Sequence, residues 1–424
     1  QAGSDLSAVR TRAVPEGDHY RLYGQKIYIT WGDHDMTANT VHLVLARTPD
    51  APEGVKGISL FLVPKYRLDE GGEPGERNDV HCVSIEHKLG INASPTCVMS
   101  LGDSDGAVGY LVGQENKGLA HMFTMMNEAR LKVGLQGLAI ADRAYQQARD
   151  YARDRSQGRP YGVKSGERVA IIHHPDVRRM LLSMRSQVEA MRGLCYQAAF
   201  HMDIAEHHGQ AEVRRDHQAR LDLLIPVIKG WCTELGVEIA STGIQVHGGM
   251  GYVEETGAAQ HLRDARIAPI YEGTNGIQAI DLVGRKLAGD AGKAMEALIA
   301  DIQATESQLS DLAGEELAAV RTSLKAGRQA LQSATEWCLA NLADDPNGVL
   351  AQAFNYMMLV GYVTGGWMMA RSALLARDRE EDFYRAKRIT ARFYAEQILP
   401  KAEALGRTVC SGGAATLGMD ETFF

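Results

Sequence analysis

The feature that most constrains this chain is a change of residue period at Gly113-Gln114-Glu115-Asn116-Lys117-Gly118. Before it, β-branched and aromatic residues crowd into short runs at 20–31, 40–46, 58–63, 80–85 and 96–100. Such runs suit pleated strands, and Gly/Pro/Asp-rich pieces at 48–56 and 70–79 separate them. No long helical pattern intervenes, so antiparallel strands in a sandwich or barrel are predicted. After the change, apolar residues recur every three to four positions. The spacing predicts helices over 119–155, 175–208, 212–241 and 277–287, with Pro175 in a first helical turn. The glycine-rich segment 242–269 is expected to interrupt the bundle. Further helices are predicted near 293–311, 314–343, 347–377 and 379–406, beyond a junction at Gly289-Asp290-Ala291-Gly292. The fold class expected is α+β and multi-domain. An antiparallel β-domain would occupy 1–116, a helical bundle 117–288, and an extra C-terminal helical domain 289–424.

A chain of 424 residues can bury a large core, and 23% charged residues with 45% hydrophobic content are ordinary for a soluble globular protein. The net charge of −8 argues against broad nucleic-acid binding, which needs a basic face. The cysteines Cys82, Cys97, Cys195, Cys232, Cys338 and Cys410 form no C-x-x-C pair. They point to buried thiols in a reducing, cytoplasmic compartment rather than to a disulfide framework. No secretory signal and no bilayer-spanning apolar run is expected. The start, Gln1-Ala2-Gly3-Ser4-Asp5-Leu6, lacks an initiator Met and reads as the interior of a longer chain.

One loop carries candidate chemistry: Ile270-Tyr271-Glu272-Gly273-Thr274-Asn275-Gly276-Ile277-Gln278. A carboxylate stands between an aromatic ring and a glycine. Thr274 or Asn275 can cap the helix that follows, whose free N–H groups favour an anion. Nine residues alone fit a plain interhelical loop with a solvated glutamate better than a catalytic site. No histidine cluster has metal-ligand spacing. His173 and His174 are adjacent and would point apart on a helix, so no metal is expected. The run Met122 to Met126 (MFTMM) suits either an adaptable pocket wall or ordinary core.

Four stretches in order resemble the acyl-CoA dehydrogenase family. They are Ala2-Gly3-Ser4-Asp5 with Gly24-Gln25-Lys26-Ile27-Tyr28-Ile29-Thr30; Asn127-Glu128-Ala129-Arg130 with Arg155-Ser156-Gln157-Gly158-Arg159; Gln245-Val246-His247-Gly248-Gly249-Met250-Gly251-Tyr252 with Arg263-Asp264-Ala265-Arg266-Ile267; and the Glu272 loop. The resemblance implies an N-terminal helical domain, a middle β-domain and a C-terminal helical bundle, and on it this sequence is expected to begin within the β-domain. The segment after 288 resembles the extra helical domain of larger members.

The resemblance also implies α,β-dehydrogenation of an acyl-CoA thioester with FAD as cofactor. Glu272 would be the base in a water-poor pocket that lifts its pKa. Tyr271 would be an apolar wall, and Gly273 would allow close backbone approach. Tyr28, Ile29 and Thr30 would line the flavin, with Tyr28 and Thr30 on one strand face. Thr274 and Gln278 would extend those contacts. Arg155 and Gln157 would hold the flavin's pyrophosphate and adenine side, completed across a dimer by Gln245, Gly248 and Gly249. Ser4, Asn127 and Arg130 would contact CoA. Asn127 stands where the family usually has an aspartate, and Trp31 where it usually has a polar residue. Partners implied are an acyl-CoA, an electron-transfer flavoprotein and a second copy of the chain, in a homodimer or higher homo-oligomer. The alternatives are an oxidase passing electrons to oxygen and a non-enzymatic nucleic-acid-binding relative.

Overall fold

The β-branched runs form the expected strands in the computed structural model, which describes residue 3, residues 5–310 and residues 315–424, with the side chain of Glu316 left out. The chain divides into two compact units, Gln1–Ala129 and Arg130–Phe424. In the first, β1 (Arg12–Glu16), β2 (His19–Thr30), β3 (Val41–Ala46), β4 (Ser59–Pro64), β7 (Val80–Ile85), β8 (Thr96–Leu101) and β9 (Ala107–Leu111) make a seven-stranded sheet among the described residues. Its order is β3-β4-β9-β2-β8-β7, with β1 also on β2, and these pairs are antiparallel. β5 (Tyr66–Leu68) and β6 (Pro74–Arg77) form a separate hairpin.

Alternation sets the sheet's inner face. Val44 and Ala46 of β3 are buried while Val41 and Leu43 are exposed, as a period of two requires. β4 lies between two partners and is buried at five of its six positions. Phe61, Leu22, Val63 and Met99 fill the inner side. β1, β5, β6 and β9 escape the sequence reading because they are three to five residues long. β1 tolerates Pro15 because its second-side pairing is a single bridge from Arg12 to Arg47, and beyond it the strand pairs with β2 alone.

The helices are α1 (Gly118–Asp154), which begins in the first unit and continues in the second, then α2 (Pro175–His207), α3 (Ala211–His247), α4 (Ala258–Ala265) and α5 (Asn275–Asp281). Beyond them come α6 (Lys293–Ser310), α7 (Glu315–Asn341), α8 (Pro346–Leu350), α9 (Ala353–Ala376), α10 (Asp382–Gln397), α11 (Lys401–Cys410) and α12 (Ala414–Leu417). Three expectations need correcting. First, α3 does not stop before 242. Gly243 is a packing glycine: a methyl there would lie 3.5 Å from the Ala144 carbonyl and from Met184, so the helix continues to His247. Second, α5 stops at Asp281 and passes into a π-helical turn, Leu282–Leu287. Third, the helices predicted over 347–377 and 379–406 are each split, the second at Pro400, which cannot donate within a helix.

α9 is apolar on every side and buried on nearly every side. It packs on α2, α3 and α5 as well as on α6, α7, α10 and α11, so helices from both sides of residue 288 share one core. Trp231 of α3 seats in a groove left by Gly361 and Gly365 of α9. Met357, Met368 and Met369 are buried in that core. Full burial of side chains of this size contributes about 1.5–3 kcal/mol each. Among the described residues, no helix is long and apolar enough to cross a membrane.

Candidate active site

The loop before α5 is shaped by two successive left-handed residues, Glu272 at φ 56° and Gly273 at φ 84°. A left-handed glutamate is uncommon and costs free energy, so neighbouring contacts must hold it. Thr274 supplies one: its hydroxyl accepts the Ile277 N–H at 3.3 Å and caps α5. Gln278, fully buried one turn later, supplies another. Its Nε2 reaches back to the carbonyls of Glu272 and Gly273, both at 3.4 Å. Gly273 is required twice, by its φ and because a methyl would lie 2.7 Å from Gln278 Nε2.

The Glu272 carboxylate is exposed, so the helical unit does not supply the water-poor surroundings expected for it. Tyr271 is half-buried and is more than an apolar wall. Its hydroxyl donates to Gln136 Oε1 on α1, tying the loop to the bundle. Burial pushes the Tyr271 phenol up, the bond to Gln136 pulls it down, and the Glu272 charge adds to the rise.

Behind the loop lies a buried polar layer: the sequence singles out Arg130, as a CoA contact, but not Asp281, Lys229 or Glu234. Arg130 is 4% exposed, and its Nη1 lies 3.3 Å from Asp281 Oδ2, which also accepts from Arg285 Nε through Oδ1 at 2.6 Å. Burial lowers the Arg130 pKa and Asp281 opposes the fall. A methyl on Gly273 would stand 3.7 Å from Arg130 Nη2, so the guanidinium lies under the loop and not on a solvated helix face. Lys229 of α3 is completely buried and donates to Asn275 Oδ1 at 2.9 Å. Asn275 Nδ2 donates in turn to Glu234 Oε1 at 2.8 Å. The signal available was a lone lysine inside the apolar run Leu223 to Trp231.

A second cluster lies at another end of the bundle. Gln157 N–H bonds the Val169 carbonyl and Ile171 N–H bonds the Arg155 carbonyl, laying the segment after α1 against 169–171. The exposed Arg155 Nη2 donates to Gln157 Oε1 at 3.3 Å. Tyr151 stacks on His247 with ring centroids 4.5 Å apart, which puts the ends of α1 and α3 side by side. α3 ends as Gly248 adopts φ 62°, its N–H on the Gln245 carbonyl. Gln245, Gly248 and Gly249 are exposed, and a methyl on either glycine would meet nothing within 4 Å. The turn therefore presents backbone with no side chain over it.

In the first unit, Tyr28 and Thr30 share an outward face, but the strand that carries them is not regular. Three residue steps on β2, from Lys26 to Ile29, face two on β8, from Met99 to Cys97. This bulge puts Tyr28 at φ 58°. Tyr28 (66% exposed) and Thr30 still face out, and Ile29 is half-buried. Trp31 is also left-handed and donates its N–H to Pro95. Asn127 is half-buried on α1. Met122 is buried whereas Met125 is 43% exposed. Ser4 lies outside the described residues. Among the described residues no group of three or more His, Cys, Asp or Glu side chains could hold a metal ion.

Comparisons with known proteins match this layout. Residues 1–104 fit the family description "Acyl-CoA dehydrogenase, middle domain", residues 116–288 "Acyl-CoA dehydrogenase, C-terminal domain", and residues 295–420 "Acetyl-CoA dehydrogenase C-terminal like". The chain belongs to the acyl-CoA dehydrogenase family, a family of FAD-dependent enzymes. Within it, the chain stands in the branch of 3-methylmercaptopropionyl-CoA dehydrogenase. It is 49% identical to the Ruegeria pomeroyi enzyme of that name over 98% of this chain and 71% of that protein. It is 35% identical to a butyryl-CoA dehydrogenase of Syntrophomonas wolfei, over 100% of this chain and 72% of that one. The fold matches Caenorhabditis elegans ACDH-11 in complex with C11-CoA at a TM-score of 0.75 and 24% identity, over 99% of this chain and 67% of that one. It also matches an acyl-CoA dehydrogenase complexed with FAD from Bacillus anthracis at 0.74 and 22%, over 96% and 66%.

Proposed function

We propose that this chain carries out the α,β-dehydrogenation of an acyl-CoA thioester, with Glu272 as the base that removes the α-proton. The observation that carries the reading is the Glu272 loop itself. An exposed carboxylate is held in a left-handed backbone by a cap, a buried glutamine and a tyrosine tether. Holding an uncommon conformation from three sides is what positioning a base requires, since proton transfer depends on a fixed donor–acceptor geometry.

The residues present fit FAD. The Gly248–Gly249 turn offers uncovered backbone, and Arg155 and Gln157 are exposed and mutually bonded, a donor set suited to a pyrophosphate. The bulge at Tyr28 turns a ring and the Thr30 hydroxyl outward, as a planar aromatic partner needs. FAD, when bound, supplies the acceptor for the hydride that leaves the β-carbon. The chain's own residues orient the thioester and take the proton at Glu272. The relatives support a thioether-bearing or linear acyl chain, 3-methylmercaptopropionyl-CoA first and a fatty acyl-CoA such as butyryl-CoA second. A homodimer completing the Arg155 and Gly248 surfaces, and an electron-transfer flavoprotein as acceptor, complete the proposal.

The test is anaerobic mixing of the purified protein with each acyl-CoA. Wild type bleaches the flavin, whereas Glu272→Gln keeps the flavin bound and does not bleach. Near-normal bleaching by Glu272→Gln removes the assignment of the base.

A further inference from the structure

A lysine is almost never buried completely unless it is paired, yet Lys229 sits inside the apolar run of α3 with no exposed surface. Packing gives no reason for it, because an apolar side chain of similar size at a buried charged position is often neutral or stabilising. Its Nζ donates to Asn275 Oδ1 at 2.9 Å. Asn275 is the first residue of α5, three after Glu272, and its backbone N–H closes the loop on the Pro269 carbonyl at 3.0 Å. The other side of its amide is fully used: Nδ2 donates to Glu234 Oε1 at 2.8 Å, Thr233 Oγ1 at 2.9 Å and the Gly230 carbonyl at 3.2 Å. The amide is thus oriented by charge, with its oxygen toward an ammonium and its nitrogen toward a carboxylate.

We infer that Lys229 is a positioning residue for the reaction: through Asn275 it holds the turn that carries Glu272, and it places a buried positive charge behind that carboxylate. The inference rests on Glu272 being the base. The charged and titratable groups around the loop are Arg130 from α1, Lys229 and Glu234 from α3, Asp281 from α5, Arg285 from the π-turn and Tyr271 on the loop itself. Arg130 is matched by Asp281. Glu234 is half-buried and reached by water, whereas Lys229 is not, so the Lys229 charge is the less screened of the two. Burial holds the Lys229 ammonium down to about 8; Glu234 opposes the fall, Arg130 adds to it and Glu272 opposes it.

Three full-chain variants test this, using butyryl-CoA and 3-methylmercaptopropionyl-CoA as probes. The readouts are the anaerobic bleaching rate against pH and hydrogen exchange of the amides at 274–278. Lys229→Met should slow bleaching at least about 10-fold and speed loop exchange. It should also move the acid limb of the rate to higher pH, because a buried cation close to the loop is gone. Lys229→Arg should restore the acid limb. Asn275→Ala keeps the charge and cuts the link, so it should loosen the loop and slow bleaching with little movement of the acid limb. Should Lys229→Met not fold, Lys229→Arg and Asn275→Ala still decide: wild-type exchange and rates in Asn275→Ala overturn the inference. So does a Lys229→Met that merely melts earlier with an unmoved acid limb. An inactive Glu272→Gln alongside silent Lys229 and Asn275 variants sinks this inference alone, whereas an active Glu272→Gln sinks the base on which it rests.

Discussion

Gly273 and Gly276 lie three residues apart, one in the loop and one in the first turn of α5, and the same substitution should act on them with opposite sign. At Gly273, alanine meets two costs. Its backbone is left-handed at φ 84°, which costs a residue with a Cβ about 1–2 kcal/mol. Its methyl would also lie 2.7 Å from Gln278 Nε2. The amide must move off the carbonyls of Glu272 and Gly273, or the backbone must shift, at about 1–2 kcal/mol for the crowding. Together these come to about 2–4 kcal/mol. At Gly276, within the first turn of α5, a methyl would meet only Thr274 Oγ1 at 3.8 Å. Alanine there should therefore stabilise by about 0.5–1 kcal/mol through helix propensity. For a chain of this size each kcal/mol moves the melting temperature by about 2 °C. Gly273→Ala should melt about 4–8 °C lower and bleach at least about 10-fold more slowly, because the displaced Gln278 releases the Glu272 carbonyl. Gly276→Ala should melt at or slightly above wild type. Scanning calorimetry and anaerobic stopped-flow read both. A Gly273→Ala variant that melts and reacts like wild type would refute the claim that this turn is held by its left-handed backbone and Gln278. A Gly276→Ala variant as damaged as Gly273→Ala would do the same.

Two further outcomes follow from packing and charge elsewhere in the helical unit. His201 of α2 faces His217 of α3, Nδ1 to Nδ1 at 3.1 Å, and burial, then His217 and Arg220, hold it down at about 4. The folded value lies below the ordinary one, so the unfolded chain takes the proton first. Stability present above pH 6.5 is lost as pH falls toward 4, by about 1–2 kcal/mol after allowing for partial solvent screening. His201→Leu should show a smaller fall in melting temperature than wild type between pH 7 and 5, and equal falls would count against the partial burial of a neutral His201 imidazole. Gly361→Ala should destabilise despite the helical gain of about 1 kcal/mol, because its methyl lands on the Trp231 ring. Paired with Trp231→Leu, its penalty should shrink in a double-mutant cycle, and strict additivity would show that the two do not share the contact.

Residue pattern alone was enough for the succession of strands and then helices, the change of period near Gly113, most helix starts and a cap at Thr274 or Asn275, of which the structure uses Thr274. These are local matters: a period of two or of 3.6, a proline in a first turn, and a threonine before a helix act within a few residues of themselves. The Glu272 loop was also legible, because its tyrosine, carboxylate and glycine are contiguous. What the tertiary structure decided lies where a residue's role depends on a neighbour far along the chain. Gly243 reads as a breaker, yet it continues α3 because Ala144 and Met184 press against it. Tyr28 reads as one step of an alternating strand, yet a bulge against β8 turns it left-handed. Gln278 reads as a further flavin contact by resemblance, while its burial and its brace on the loop from inside are visible only in the fold. The helices beyond residue 288 read as an added module, yet α9 fills one core with α2 and α3 because its apolar surface goes all the way round and only a full ring of helices can cover it. Lys229 could be seen as an oddity in the sequence, but its meaning required Asn275, 46 positions away, to be brought within 2.9 Å. Long-range contacts of this kind are set by which faces pack together, and no local period carries that information.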